Sequence, residues 1–387
     1  MTHKTEEIVI IGGGISGTAA AYELAQSGAQ VTLIEKGSLA SMASGWTLAG
    51  VRQSGRHPAE LPLAQAAVKR WQNLNDELEA DVSYRQEGNL RLAFTPDEVD
   101  FIANMVEEQR ALGLQLDFLP DGEAVREVAP ALSDTVLAAS FCPSDGHANP
   151  TATVQAFAAA AERHGAKIMT ETAVTDIEIN KGQVSGVLTT AGRIAADIII
   201  MAAGIYTGKL CEKIGLRLPI EVKHVSALQT VSLPPMLNQV LGVASADFAC
   251  RQQVDGRFRM TPGAEAWEWP AGPVKAEDVY PPMSRISMLI DRACRVIPAL
   301  KEARLNRTWG GLLDMTPDGL PVIERIEAVD GLVIAGGFSG HGFCLGPITG
   351  QIISDLVLHG ESALPLEPFK LNRFADFEIT GEAELLG

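Results

Sequence analysis

The chain has 387 residues, 46% hydrophobic and 20% charged, a composition that fits a globular protein and excludes intrinsic disorder as the main state. Its 31 Lys and Arg against 48 Asp and Glu leave a formal charge of −17, which disfavours nucleic acid and anionic membranes as partners. The five cysteines are scattered and contain no C-x-x-C pair, which argues against a disulfide framework or a metal cluster and fits a reducing, cytoplasmic setting.

Residues 8–22 form the longest uncharged run near the N-terminus, too short for the roughly 20 apolar residues of a membrane span. No basic leader or small-residue cleavage site accompanies it, so no signal peptide is expected. Within it, Ile8-Val9-Ile10-Ile11 reads as a strand buried on both faces. Gly12-Gly13-Gly14-Ile15-Ser16-Gly17 then satisfies G-x-G-x-x-G, a helix is predicted over 18–27 with Gly28 as its cap, and 30–34 reads as a second strand. Glu35 and Lys36 stand at that strand's C-terminal end.

Each part has a physical task. Gly12 permits the turn, Gly14 lets backbone approach a pyrophosphate, and Gly17 lets the helix pack closely on the strand. The N–H groups at the helix start hold phosphates, and Glu35 accepts hydrogen bonds from the adenosine ribose. Strand, glycines, helix, strand and acid in register predict a dinucleotide site.

A second small-residue cluster, read as flexible, covers residues 43–52 and includes Ser44, Gly50, Val51 and Arg52. An amphipathic helix follows, with Leu63, Ala67, Trp71, Leu74 and Leu78 on one core-facing stripe. Residues 87–94 alternate like a strand, and 96–113 read as a helix. Asp145-Gly146-His147-Ala148-Asn149-Pro150 forms a turn before an Ala-rich helix that ends at Gly165, and His147 in it reads as a structural hydrogen-bonder. Residues 174–179 and 184–189 make a hairpin, 195–204 a buried strand ending in Ala202-Ala203-Gly204, and 222–260 a strand-rich region. The Pro/Gly/Trp-rich stretch 262–282 reads as a long loop, a candidate lid or oligomer contact.

Toward the C-terminus, 309–321 leads into a strand over 332–335, then Gly336-Gly337-Phe338-Ser339-Gly340-His341-Gly342, then a helix over 348–359. This second strand, glycine loop and helix favours an electron-rich group at the helix start. His341 there is a candidate functional residue. Cys344 reads either as a substrate contact or as a buried, inert thiol. Arg52 reads either as a ligand of a substrate carboxylate or as a phosphate or structural partner.

The N-terminal fingerprint, Ala202-Ala203-Gly204, Thr316-Pro317-Asp318-Gly319-Leu320-Pro321 and the loop from Gly336 to Gly342 occur in that order, so the chain resembles the D-amino-acid oxidase family nearly throughout. Glycine oxidase, sarcosine oxidases and flavin subunits of opine and hydroxyproline dehydrogenases belong to that family, and residues 43–71 look most like the sarcosine oxidase β-subunit and iminodiacetate-oxidase type. The resemblance implies an α/β fold: a Rossmann-type FAD domain over 1–82, 140–222 and 301–387, interleaved with an α+β substrate domain over 83–139 and 223–300 whose antiparallel sheet roofs the flavin. It implies that Gly12, Gly14, Ile15, Ser16 and Gly17 meet the pyrophosphate, with Glu35 and Lys36 at the ribose. Ser44, Gly50 and Val51 would line the phosphate and flavin edge. Val174, Ala203, Gly204 and Gly311 belong to the same FAD site, and Gly340 and Gly342 sit by the flavin's pyrimidine end. Arg52, His341 and Cys344 would face the substrate, with His341 the catalytic candidate.

Relatives differ at telling positions. The cysteine that carries covalent flavin in monomeric sarcosine oxidases is replaced by Gly310-Gly311, so FAD is expected to be non-covalent. Cys344 stands where those enzymes use a carboxylate-binding lysine, and Phe248-Ala249-Cys250-Arg251 where D-amino-acid oxidase uses a tyrosine. The expected activity is oxidation of the C–N bond of a small primary or secondary amino acid by hydride transfer to flavin N5, with hydrolysis of the imine. Oxygen or another acceptor would take the electrons. A flavin subunit that passes electrons to partner subunits is the alternative, homo-oligomers are a further expectation, and an NAD-linked dehydrogenase would leave the second glycine-helix element without use.

Overall fold

The computed structural model describes residues 6–270 and 274–375. Three residues of the long loop (271–273) and the outer parts of the expected FAD segments (1–5 and 376–387) lie outside the described residues.

Strand β1 (Glu7–Ile11), helix α1 (Ile15–Gln26) and strand β2 (Gln30–Ile34) open the fold. The two strands pair in parallel, and β1 also pairs in parallel with Ile198–Met201. Six strands make this sheet, in the order Val322–Arg325, Leu332–Gly336, Ile198–Met201, β1, β2, Lys167–Met169. Only Val322–Arg325 runs antiparallel to its neighbour. Ile198–Met201 and Leu332–Gly336 are buried at every position, as a sheet covered on both faces requires. On one face, α1 packs against the helices Gly342–Leu358 and Pro150–Arg163. A three-stranded sheet lies beside this core, made of Val174–Asn180, Gln183–Thr189 and Gly192–Ala195.

Small residues set how α1 meets the C-terminal helix. A Cβ on Gly346 would meet the Ile15 side chain, and one on Gly350 would meet Ala19. Residues four apart on one helix therefore face residues four apart on the other, in the same chain direction. The two helices run parallel, with their N-termini side by side.

A second, nine-stranded sheet is mostly antiparallel. Its strands run Glu265–Ala266, Glu221–Ser232, Arg257–Thr261, Ala249–Gln252, Val240–Val243, Asn89–Ala93, Ala138–Cys142 and Asp117–Leu119, with Leu305–Met315 also on Glu221–Ser232. Val240–Val243 pairs in parallel with Asn89–Ala93. The helix Met283–Val296 covers part of this sheet through Leu289, Ala293 and Val296.

Several expectations change. The helix predicted over 348–359 begins at Gly342, so Pro347 lies inside it rather than at its start. The helix predicted over 18–27 begins at Ile15, immediately after the glycine turn. Residues 89–93 are buried on both faces despite their alternating sequence, because helix Pro96–Ala111 and the substrate-side core flank them. The segment 195–204 holds two elements, the end of Gly192–Ala195 and the strand Ile198–Met201.

Residues 305–315 form an 11-residue strand that the glycine pair had concealed. Gly310 is required there, since a Cβ would collide with the His224 imidazole across the ladder. That strand and Ala138–Cys142 both join the second sheet, whereas the sequence boundaries at 140 and 301 put 305–315 with the FAD segments and cut through 138–142. The cluster read as flexible over 43–52 is ordered too: Ala43–Trp46 is a short helix, and Gly50–Val51 pairs with Gly146–His147.

Candidate functional site

Between the two sheets lies a cavity of about 770 Å³, within the range of cofactor and ligand sites. One end is built by the turn after β1. Gly12 has φ +116, a conformation open to glycine, and a Cβ there would strike the Ala202 carbonyl. Gly17 packs against the Gly12 carbonyl and leaves no room for a side chain, which places it behind the cavity wall. Gly14 caps α1 in extended conformation with no side-chain cap, and Ser44 Oγ accepts from the Ile15 N–H at 3.0 Å. The first-turn N–H groups of a helix lack intrahelical acceptors, so this end offers donors and a positive dipole to an anion.

Glu35 closes the same end. Its two carboxylate oxygens accept from the N–H groups of Gly13 (2.7 Å) and Gly37 (2.8 Å), and each oxygen keeps a second lone pair for a sugar hydroxyl. Lys36 lines the cavity, but its amino group donates to Tyr206 Oη at 2.7 Å and to the Val274 carbonyl at 3.1 Å. Val174, Ala203, Gly204, Gly50 and Gly311 also line the cavity.

The second helix N-terminus, at Gly342, enters beside the first. Its glycine loop is tied to the strand Leu305–Met315: Asp314 Oδ2 accepts from Gly337 N–H at 2.8 Å, and Ser339 Oγ accepts from Thr316 N–H at 3.1 Å. Burial pushes the Asp314 carboxyl up to about 6, against the pull of these backbone donors.

His341 is buried, lines the cavity, and places Nδ1 2.9 Å from Glu60 Oε2. Burial and then the Arg56 charge lower the imidazole pKa against the pull of Glu60. The ring is therefore neutral at pH 7 and donates Nδ1–H to the carboxylate. Burial works against ionised Glu60, but the Nδ1–H bond from His341 and the Arg56 charge outweigh it and hold the carboxyl at about 2.

Arg52 lines the cavity and donates only to the Ser54 carbonyl, at 3.4 Å. Burial, followed by repulsion from Arg56 and Arg91, lowers its pKa well below the usual value. Cys344 and Val51 stand behind the wall: the thiol donates to the Arg52 carbonyl at 3.4 Å, and burial pushes it up to about 11. Of the two readings of Cys344, substrate contact or buried thiol, the geometry has the buried thiol, supporting Arg52's backbone. His147 has the structural role expected of it, with Nδ1 2.8 Å from an Arg251 Nη1.

The cavity also holds residues the sequence reading missed: Arg56, Glu60's neighbour in the fold, and Arg91 with Asn89 from the second sheet. A signal existed for Arg56 and for Glu60 behind it, since Arg52, Arg56 and Glu60 follow at four-residue spacing. For Arg91 the signal was a lone charge inside Asn89-Leu90-Arg91-Leu92-Ala93.

Taken together, the glycine cradle at Gly12–Gly14 that side chains would fill, two helix N-termini whose N-cap residues give no side-chain cap, and Glu35 fit FAD. The sequence profile described as FAD dependent oxidoreductase (DAO) matches residues 7–356. Glycine oxidase of Geobacillus kaustophilus (strain HTA426) is 28% identical over 96% of this chain and 98% of its own. Sarcosine oxidase subunit beta of an Arthrobacter species is 29% identical over 98% and 93%. The crystal structure of L-proline dehydrogenase from P. horikoshii superposes with a TM-score of 0.87 and 31% identity, over 96% of this chain and 98% of that one.

Proposed function

The chain belongs to the DAO family of FAD-dependent oxidoreductases, and from that premise we propose that it oxidises the C–N bond of a small primary or secondary amino acid. The observation that carries the reading is one cavity with a pyrophosphate cradle at one end and, at the other, Arg52, with no ion pair among the described residues, beside the His341–Glu60 pair. Bound FAD supplies the hydride acceptor for the C–H next to nitrogen.

The chain's own residues bind and orient. Gly12, Gly14, Ile15, Ser16 and Ser44 hold the pyrophosphate, Glu35 the ribose, and Val174 presents backbone to the adenine. Gly340 and Gly342 carry the positive helix end to the flavin's pyrimidine side. Arg52 takes the substrate carboxylate with a planar fork. Neutral His341, fixed by Glu60, offers a polar edge beside the substrate without adding charge that would disfavour hydride loss. Holding the substrate's C–H in a fixed orientation lowers the barrier by avoiding the entropy cost of aligning it. The segments around the six-stranded sheet form the FAD-binding unit of this proposal, and the nine-stranded sheet forms the substrate roof.

FAD is held non-covalently in this reading, supported by Gly310 and Gly311 and by the absence of cysteine between Cys294 and Cys344. Electrons leave to oxygen or another acceptor. A flavin subunit within a larger assembly is the second reading, supported by the likeness to a protein named as a sarcosine oxidase subunit. A cytoplasmic location is supported by five cysteines that are all free thiols. Among the described residues, no helix is long and apolar enough to cross a membrane.

The test is anaerobic titration of the purified yellow protein with sarcosine, glycine, proline and iminodiacetate. Bleaching of the flavin by one of them is expected, and acid precipitation is expected to release all colour into the supernatant. No bleaching by any amino acid sinks the oxidase or dehydrogenase reading, and colour in the pellet sinks the non-covalent one.

A further inference from the structure

Three guanidinium groups, of Arg52, Arg56 and Arg91, line the same cavity. Arg52 and Arg56 come from the loop after Gly50–Val51, and Arg91 from the facing strand Asn89–Ala93. Arg56 and Arg91 are 5% and 8% exposed. Among the described residues, each of the three makes a single side-chain hydrogen bond and no direct ion pair. Arg52 donates to the Ser54 carbonyl, Arg56 to the Arg52 carbonyl at 3.3 Å, and Arg91 only to Met105 Sδ at 3.7 Å. Arg56 Nη1 and Arg91 Nη2 are buried with no hydrogen-bond partner among the described residues.

The nearby acids Glu60 and Asp145 offset part of the charge, yet their oxygens already take hydrogen bonds from other donors. Glu60 receives His341, and Asp145 accepts from Gln53 N–H at 2.8 Å and from both donors of Ser54. Buried polar groups in native proteins are paired, and buried charges more strictly so. A guanidinium brings five donors, while one carboxylate offers two oxygens with about four lone pairs. A single carboxylate on Arg52 leaves the buried donors Arg56 Nη1 and Arg91 Nη2 without an acceptor among the described residues.

We propose that Arg56 and Arg91 form a second anion subsite, so that the substrate is a dicarboxylic amino acid whose two carboxylates flank or follow the oxidised C–N bond. The inference rests on the oxidase reading above for its substrate and adds the second carboxylate to it. Repulsion at Arg91 supports it: burial, and after it the Arg56 charge, push the Arg91 guanidinium down to about 10, a strain that a second anion relieves.

The probes are thiodiacetate and (methylthio)acetate, in which sulfur replaces the nitrogen, so that binding perturbs the flavin spectrum without reduction. Wild-type protein is expected to bind thiodiacetate at least about tenfold more tightly, the scale of one charge-assisted contact. Arg91→Met, checked for wild-type flavin content and melting temperature, should bring the affinity ratio toward one, and Arg91→Lys should restore part of it. Equal affinities in the wild type, or an Arg91→Met variant that weakens both probes equally, overturn the subsite whether or not the protein oxidises sarcosine. Selective thiodiacetate binding in a protein whose flavin no amino acid bleaches supports the subsite and overturns the oxidation reading alone.

Discussion

His147 lies against Arg251, whose Nη1 donates to its Nδ1 while Nε and Nη2 reach the carbonyls of Leu48 and Ala148. Burial, then the charges of Arg251 and Arg85, hold the imidazole pKa down at about 2. The folded protein therefore keeps His147 neutral while the unfolded chain protonates it below about 6.5. A depressed folded pKa contributes stability above the unfolded value that is lost as pH falls, here from about 6.5 downward. Between pH 6.5 and 5 the loss is about 1.5–2 kcal/mol. Glu60, held at about 2 rather than 4.5, adds to the loss only below pH 4.5. Melting temperatures measured from pH 7.5 to 5 are expected to fall, with a shallower slope in His147→Gln, and an unchanged slope in that variant contradicts the assignment. At this scale the sequence showed residues whose place in a motif betrays them, such as Glu35, Arg52 and His341. It did not show Arg91, because a lone charge in a strand acquires meaning only when the fold carries it opposite a loop some 35 residues away in sequence, next to Arg52 and Arg56.

The two helix N-termini meet because Gly346 and Gly350 let the C-terminal helix lie directly on Ile15 and Ala19 of α1. Glycines in the two helices thus separate into two kinds. Gly14 faces the cavity, where a Cβ would meet Ser44 Oγ at 3.0 Å and a branched side chain would occupy the cradle. Gly350 faces only protein, its Cβ falling 2.5 Å from that of Ala19. Gly14→Val is expected to fold but to lose flavin, read as FAD per folded monomer. Gly350→Val is expected to cost about 1–3 kcal/mol through overpacking, read as a lower denaturation midpoint with flavin retained by the folded fraction. A flavin-replete Gly14→Val overturns its cofactor role. The strand–turn–helix–strand unit over 7–35 was legible because its signals are local: β-branched run, glycines, cap and acid follow within 30 residues. The start of the C-terminal helix was not, since Gly342, Gly346 and Pro347 read as loop by propensity, and it is packing on α1 that selects them.

Across the whole molecule, the chain passes between its two sheets several times, and the cavity forms where they face each other. The strand-rich stretch 222–260 and the family resemblance announced a second sheet, but not that residues 305–315 cross into it, since their pairing with Glu221–Ser232 joins segments about 80 residues apart. That crossing strand brings Gly311, Leu312 and Leu313 to the cavity wall and carries no cation there. The lysine that sarcosine oxidases hold above the flavin has no counterpart among the residues after Met260 that line the cavity. The lysines on its wall are Lys36, Lys209 and Lys213. Lys36 and Lys209 lie over the rings of Tyr206 and Trp269, which pack edge to face, so they gather beside the ribose end. Lys275 is exposed outside the cavity. A positive charge beside the reduced flavin stabilises the anionic form that oxygen takes on receiving its first electron, so a site without that lysine should react slowly with oxygen. Substrate-reduced protein is therefore expected to reoxidise in air more slowly than it turns over with an artificial dye acceptor. Stopped-flow mixing of the reduced protein with oxygen, compared with steady-state turnover on the dye, measures both rates. Reoxidation in air as fast as turnover, with one hydrogen peroxide per substrate, would show that another group on this wall does the lysine's work.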